Sequence, residues 1–328
     1  MLPRLLTRTA LTVPFFASRA LHAGVERCLA ERPPDLCFAY SSSMGQYLLG
    51  RDGLVRIQHF AELDSDKWRQ YAQHSRRPGR WIYQREATRL LEFETRIARE
   101  FDLSLVVSEV ERELFLRWIP EARVGVLPNG VDSDYFAPQG DQDREQATCI
   151  FTGVMDYEPN VDAVLHFVRD SWPAIRAGQP GARFLVVGAA PVPEIQKLHH
   201  QDGIQVTGRV PDTRPYFQRA AIAVAPLRIA RGIQNKVLEA MSMGLPVVSS
   251  SAAAQGITAR SGTQLCIADG GAATAAAVLG LMRDPGARRQ VGRAARAFVL
   301  EHYRWGAVLA QLDQRIADAR ARRAPVRG

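Results

Sequence analysis

Short apolar runs alternate with segments of helical period along the whole chain. In the first part, runs at 36–40, 54–58, 103–107 and 123–127 carry the signals of buried strands. The longest helical pattern covers 79–100, dense in Arg and Glu on one side, with Trp81, Ile82, Leu90, Leu91 and Phe93 on the other. The polar, turn-forming stretch 138–146 breaks the pattern, and a domain boundary is expected there. Beyond it, strands are expected at 148–152, 184–187, 204–206, 222–225, 247–249 and 264–267. Helices are expected at 161–175, near 192–200, at 214–219, around Lys236 and Glu239, and at 271–283, 285–302 and 305–321. Strands alternating with helices imply an α/β chain with parallel sheets. Four strands make a thin sheet for the first domain, so a strand or strand–helix–strand unit is expected to be absent from its start.

The most informative stretch runs from Arg231-Gly232-Ile233-Gln234-Asn235 through Lys236-Val237-Leu238-Glu239-Ala240-Met241 to Gly244-Leu245-Pro246-Val247-Val248. It reads as a polar loop, a short helix ended by Gly244, and a buried strand. Lys236 and Glu239 are three residues apart and share one helical face, while Val237, Ala240 and Met241 can pack. A helix placed this way faces the carboxyl ends of neighbouring strands, where α/β proteins bind ligands. The ammonium can meet a phosphate, and the carboxylate can accept hydrogen bonds from two ribose hydroxyls. The plainer alternative is a solvated ion pair.

Other strand ends add candidates. Gly153, after the 148–152 strand, lets a ligand approach the backbone, and Asn160 is a candidate N-cap of the next helix. Arg209 follows Thr207-Gly208, and Arg228 and Arg231 flank a loop after a buried strand; each guanidinium suits phosphate oxygens or water equally. In the first domain, Asp64 or His59 can act as a base or face an acceptor, with helix capping as the structural alternative for this segment. The seven histidines are scattered, and no metal-ligand spacing or Ser-His-Asp set is readable.

The chain has 328 residues, room for two domains, with 42 Lys+Arg against 34 Asp+Glu. Part of the excess sits near the termini, at Arg4, Arg8, Arg19, Arg315, Arg320, Arg322, Arg323 and Arg327. That suits an anionic membrane surface, or merely a basic proteome with many arginines; no compact basic stripe interleaved with aromatics points to nucleic acid. Cys28, Cys37, Cys149 and Cys266 lie in apolar runs and are expected to be buried free thiols in a reducing, cytoplasmic compartment. No run is long and apolar enough to cross a bilayer. The Arg-rich segment 1–24 is expected to be a surface helix and loop.

Together, Pro128-Asn129-Gly130-Val131-Asp132, Gly153, the Lys236-to-Val248 stretch and Tyr303-Arg304-Trp305 resemble the family 4 retaining glycosyltransferases of GT-B fold. Three stretches narrow the resemblance to the sugar transferases of bacterial PEP-CTERM/exosortase exopolysaccharide loci: Asp64-Ser65-Asp66-Lys67-Trp68, the helix around Arg85-Glu86-Ala87, and Ala230 to Lys236. The resemblance implies two Rossmann-like domains facing a cleft, the N-terminal one incomplete. It implies an acceptor-side domain at 1–138, a donor domain at 139–302, and a last helix at 303–328 crossing back to the first domain. Glu239 would hold the ribose; Lys236 and an Arg of the preceding loop, Arg228 or Arg231, would hold the diphosphate. Lys236, Arg231 and Asp64 form the expected catalytic set. Gly153, Arg209, Arg228, Gly232, Ile233, Gln234 and Glu239 form the expected donor-binding set. No cofactor and no metal are implied. The expected partners are a nucleotide-sugar donor, a saccharide or lipid-linked acceptor, and the inner membrane surface as a peripheral contact.

The chain departs from that pattern in two ways. The family commonly places a second Glu, which contacts the transferred sugar, seven residues before the ribose Glu, and Gly232 stands there; backbone amides near 232–234 are expected to take its place. The opening strand and Gly-rich loop of the first domain are also not found, so the N-terminus is expected to be truncated. The alternatives are a catalytically silent nucleotide- or saccharide-binding remnant and a GT-B sugar-nucleotide epimerase.

Overall fold

The structure, a computed structural model, describes residues 7, 9–51, 53–140 and 144–323. Arg4, Arg8 and Arg327 lie outside the described residues. The chain divides into two compact units, Met1–Leu127 with Gln311–Gly328, and Pro128–Ala310.

The first unit holds a parallel sheet of four strands, β1 Leu36–Tyr40, β2 Val55–Ala61, β3 Leu103–Val106 and β4 Val124–Val126, in the order β1-β2-β3-β4. Its core gathers Leu63, Ile97, Phe101, Phe115 and Ile119. The long helix spans Gly79–Glu100, as its period predicts. It is preceded by a helix at Asp64–His74. Segment 1–24 contributes two helices, Thr12–Phe15 and the start of Arg19–Glu31. Glu86 anchors the first of them, accepting from the Leu11 N–H at 2.7 Å, the Thr12 N–H at 2.8 Å and the Thr12 hydroxyl at 2.7 Å. A carboxyl group accepting from the open N–H groups of a helix start is a favourable pairing. The last helix, Trp305–Arg323, ends within this unit, where Arg323 pairs with Asp102 at 3.0 Å and Arg320 with Asp35 at 3.3 Å.

The second unit carries six parallel strands: β5 Glu145–Thr152, β6 Arg183–Val187, β7 Ile204–Val206, β8 Ala220–Ala225, β9 Val247–Ser249 and β10 Cys266–Ile267. Their order is β10-β9-β8-β5-β6-β7, so the winding direction reverses between β5 and β8. β8 is buried at every position, the near-continuous apolar run expected of a strand covered on both faces. Trp172, Phe167 and Phe184 pack together on one side of the sheet with ring centroids 4.8–6.0 Å apart.

Three expectations need correction. The helix expected at 161–175 is two, Glu158–Asp170 and Trp172–Gly178, with Pro173 in the first turn of the second. A proline there fits a helix start but not a helix interior. The helix expected near 192–200 is a single turn, Pro193–Gln196, because His200, Asp202 and Gly203 all take positive φ and turn the chain back into β7. Of the four free cysteines only Cys149 is buried, and Cys28 is exposed because the Arg19–Glu31 helix buries none of its residues.

Candidate functional site

The reversal between β5 and β8 places a cavity at the carboxyl ends of the second unit's strands. Thr152 and Gly153 supply one wall from the end of β5, and Gly188 and Ala189 a second from the end of β6. Lys236 and Glu239 enter from the Asn235–Ser242 helix, and Arg209 from the loop after β7. The volume is about 380 Å3.

The floor depends on two glycines. The Gly153 N–H donates to the Val187 carbonyl at 3.0 Å, which draws the ends of β5 and β6 together. A Cβ at Gly188 would lie 1.6 Å from the Gly153 carbonyl oxygen, and the residue has φ +153°. A Cβ at Gly153 would meet Asn160 Nδ2 at 2.6 Å and Lys236 Nζ at 3.2 Å. Only glycine lets backbone, amide and ammonium come this close.

Lys236 is half-buried. Its ammonium donates to Asn160 Oδ1 and lies 4.4 Å from the centroid of the Phe151 ring. Asn160 is therefore not the helix cap expected from the sequence; Tyr157 holds that position. Asn160 sits in the first turn, buried, with Nδ2 donating to the Val154 carbonyl at 2.9 Å, and so orients the lysine. Burial pushes the Lys236 pKa down to about 8, against a smaller raising effect of Glu239.

Burial also pushes the Glu239 carboxyl up, with Lys236 pulling it down. The two do not form a contact ion pair, and the Glu239 carboxylate has no side-chain hydrogen bond to any described residue. A half-buried acid without a protein partner is set up to accept from a ligand. Arg209 is exposed at the rim, without an ion pair among the described residues.

Of the expected donor-binding residues, this lining brings together Gly153, Arg209 and Glu239, with Lys236 of the catalytic set. The others lie outside it. Arg228 makes a two-pronged ion pair with Asp162 at the surface. Gln234 is the residue at which the Lys236 helix begins, and its Nε2 donates to the Arg231 carbonyl at 2.9 Å. Gly232 turns with φ +59°, and the Ile233 side chain joins the core. Sequence reading left Thr213 and Phe136, which also line the cavity, unremarked; they are neutral residues in loops, with no local signal to mark them.

Asp64 belongs to the first unit. It opens the Asp64–His74 helix after β2 and accepts from the Ser42 hydroxyl at 2.6 Å. Behind it lies a residue that sequence reading passed over. Glu94 is fully buried, with the Ser65 N–H 3.3 Å from its Oε1, and burial together with the Asp64 charge pushes its pKa up to about 8. The signal was present, since Ala87, Leu90, Glu94 and Ile97 recur at helical spacing and all four are buried. Glu94 is thus a neutral acid at pH 7. Its native-state value lies above the ordinary 4.5, so the folded chain holds more protons than the unfolded one between about 4.5 and 8. Stability then falls as pH rises through that window, by up to about 1.4 kcal/mol per pH unit. Urea denaturation at about pH 5 and about pH 8 should show this fall, and Glu94→Gln should flatten it. His59 is buried too, with its ring nitrogens facing the Ala61 N–H and the Leu127 carbonyl, and burial lowers its pKa.

Residues 146–284, which contain every strand end of this cavity, match the family model described as glycosyl transferases group 1. That segment is similar to the group 1 glycosyltransferases. A curated relative, the GDP-mannose-dependent alpha-(1-6)-phosphatidylinositol monomannoside mannosyltransferase of Mycolicibacterium smegmatis, is 27% identical over 255 residues, 69% of this chain. The match spans less than two thirds of that relative's own length, 65%. Among solved structures, sucrose-phosphate synthase from Thermosynechococcus elongatus superposes with a TM-score of 0.72 at 19% identity, over 92% of this chain and 77% of the other. Anabaena HepE in complex with UDP gives 0.68 at 14% identity, over 91% and 82%. These likenesses establish a GT-B-like α/β fold. The group 1 match and the fold bear out the broader part of the sequence resemblance.

Proposed function

We propose that this chain is a glycosyltransferase, of the retaining family 4 type, that moves a sugar from a nucleoside-diphosphate donor to a saccharide or lipid-linked acceptor in exopolysaccharide assembly. One observation carries the donor assignment: Lys236 and Glu239 line one cavity at the strand ends without neutralising each other. The ammonium meets the diphosphate, and the Glu239 carboxylate accepts from the ribose hydroxyls. Gly153 and Gly188 let the donor approach the backbone, and Arg209 closes on the phosphates from the rim. In the transfer the anomeric C–O bond to the diphosphate breaks, and the departing oxygen keeps the electron pair. The charge that develops there is stabilised by Lys236 and, from the loop before it, by Arg231, the role that positioned cations play best in a partly dehydrated site.

UDP and UDP-glucose complexes of HepE, and the GDP-mannose dependence of the mycobacterial relative, support a nucleotide-sugar donor. The PEP-CTERM assignment rests on the sequence resemblance, and the acceptor role of Asp64 on its place in a polar segment just after β2. No described helix is long and apolar enough to cross a membrane; exposed Phe15, Phe16 and Trp81 in the first unit support a peripheral contact with the inner membrane surface.

Glu239→Ala tests the donor site. Losing charge-assisted hydrogen bonds worth about 1.5–3 kcal/mol should weaken nucleotide-sugar binding roughly 10- to 100-fold, with the fold retained. Calorimetric titration that returns the wild-type affinity would remove the assignment.

A further inference from the structure

A second cavity opens at the other end of β5. Its volume is about 700 Å3, and five arginines line it: Arg144, Arg288, Arg289, Arg293 and Arg296. No Asp or Glu among the described residues is part of that lining. Arg144 leads into β5, while the first cavity takes residues from that strand's carboxyl end. Eight residues of strand separate the two sites by roughly 25 Å.

The inner arginines bond to carbonyls. Arg144 donates to the Met243 and Gly244 carbonyls at 2.8 and 2.9 Å. Arg296 donates to the Ser242 and Phe136 carbonyls, and Arg288 to those of Gln146 and Leu281, both at 3.3 Å. For Arg288 and Arg296, carbonyl dipoles satisfy the geometry of the guanidinium but do not cancel its charge; the carboxylate whose charge acts on Arg296 is Asp134, which forms no ion pair with it. No ion pair joins Arg288, Arg289, Arg293 or Arg296 to a carboxylate among the described residues. Arg288 is buried, and its pKa is lowered by that burial and by Arg289 beside it.

The outer pair sets the ligand's shape. Arg289 and Arg293 are both exposed and stand one turn apart on the Pro285–His302 helix, which puts their Cβ atoms about 5–6 Å apart. Two planar donor forks at that spacing fit two adjacent phosphoryl groups better than a single small anion. Gly292 lies between them. A Cβ there would stand 2.3 Å from the Gly244 carbonyl oxygen, so the helix backs directly onto the chain turn whose carbonyl Arg144 holds.

We propose that this arginine-lined cavity is a second binding site, separate from the donor site, for the diphosphate group of a small molecule, either inorganic pyrophosphate or a nucleoside diphosphate. Lys236→Met weakens the proposed donor site about a hundredfold and leaves the cavity untouched, so that chain sets the new site apart from it. Calorimetric titration of it with pyrophosphate should give one site. Arg289→Ala with Arg293→Ala should weaken that site at least tenfold, while Arg→Lys at both positions, which keeps the charge and loses the fork, should fall between. Orthophosphate should bind at least tenfold more weakly than pyrophosphate. A UDP arm separates the sources: UDP competing with pyrophosphate assigns the nucleotide, and UDP failing to bind assigns the free anion. Both exchanged side chains are exposed, so the fold should survive, and a thermal melt checks it. The proposal is overturned if the Lys236→Met chain binds no pyrophosphate at millimolar concentration, if the double alanine variant binds unchanged, or if sulfate at equal ionic strength binds as well as pyrophosphate. None of these outcomes depends on what occupies the donor site.

Discussion

Lys236→Met is expected to weaken nucleotide-sugar binding about a hundredfold and, in the unliganded protein, to raise the melting temperature. Both effects have one cause. Burial holds the ammonium pKa at about 8, below its ordinary 10.5, so at neutral pH the empty site keeps a charge that its surroundings disfavour. The drop corresponds to about 3 kcal/mol. Losing the Asn160 hydrogen bond and the contact with the Phe151 ring offsets part of that, which leaves a net gain of about 1–2 kcal/mol. A donor diphosphate supplies the missing counter-charge, and the variant cannot use it. Between about 8 and 10.5 the unfolded chain binds more protons than the folded one, so this group makes the wild type more stable as pH rises through that window. The methionine variant should lack that rise. Donor affinity of the wild type should fall above about pH 8, as the free lysine loses its proton. Calorimetry at several pH values and a thermal melt read both effects. A variant that binds donor normally, or that melts lower than the wild type, contradicts this account.

Gly188→Ala should be the most damaging single methyl addition at the site. The new carbon would have to share space with the Gly153 carbonyl oxygen, 1.6 Å away, in a backbone conformation that side chains rarely adopt. Separating the two strand ends breaks the bond between the Gly153 N–H and the Val187 carbonyl and shifts the loop against which Lys236 and Asn160 rest. Overpacking of this kind costs about 3 kcal/mol or more. Urea denaturation should show that loss. Gly208→Ala is the control: its φ is also positive, at +69°, but a Cβ there meets nothing within 4 Å, so only the backbone penalty of about 1 kcal/mol applies.

What the sequence made legible was what is written locally. The helix at Gly79–Glu100 and those at Gly271–Arg283 and Pro285–His302 have the bounds that their period and their Gly and Pro residues predict. The three-residue spacing of Lys236 and Glu239 was enough to put both on one face, and that face lines a cavity. Long-range partners were not legible. Nothing near Arg228 in the chain indicates that Asp162, 66 positions away, takes its guanidinium. Nothing near Asn160 indicates that Lys236 will reach it, and a capping rule applied to Asn160 alone gave the wrong role. Glu94 was passed over for a different reason. Its helix is rich in charge, so one more acid on it does not stand out, although its spacing places it on the apolar stripe.

The closeness of Gly153 and Gly188 bears on redesign. Because a Cβ at Gly188 would run into the Gly153 carbonyl and one at Gly153 into Asn160 and Lys236, neither floor position has room for a side chain. Retargeting the protein to a different ligand has to proceed through the side chains around the opening, Val154, Ala189, Arg209 and Thr213, which can change without forcing the strand ends apart.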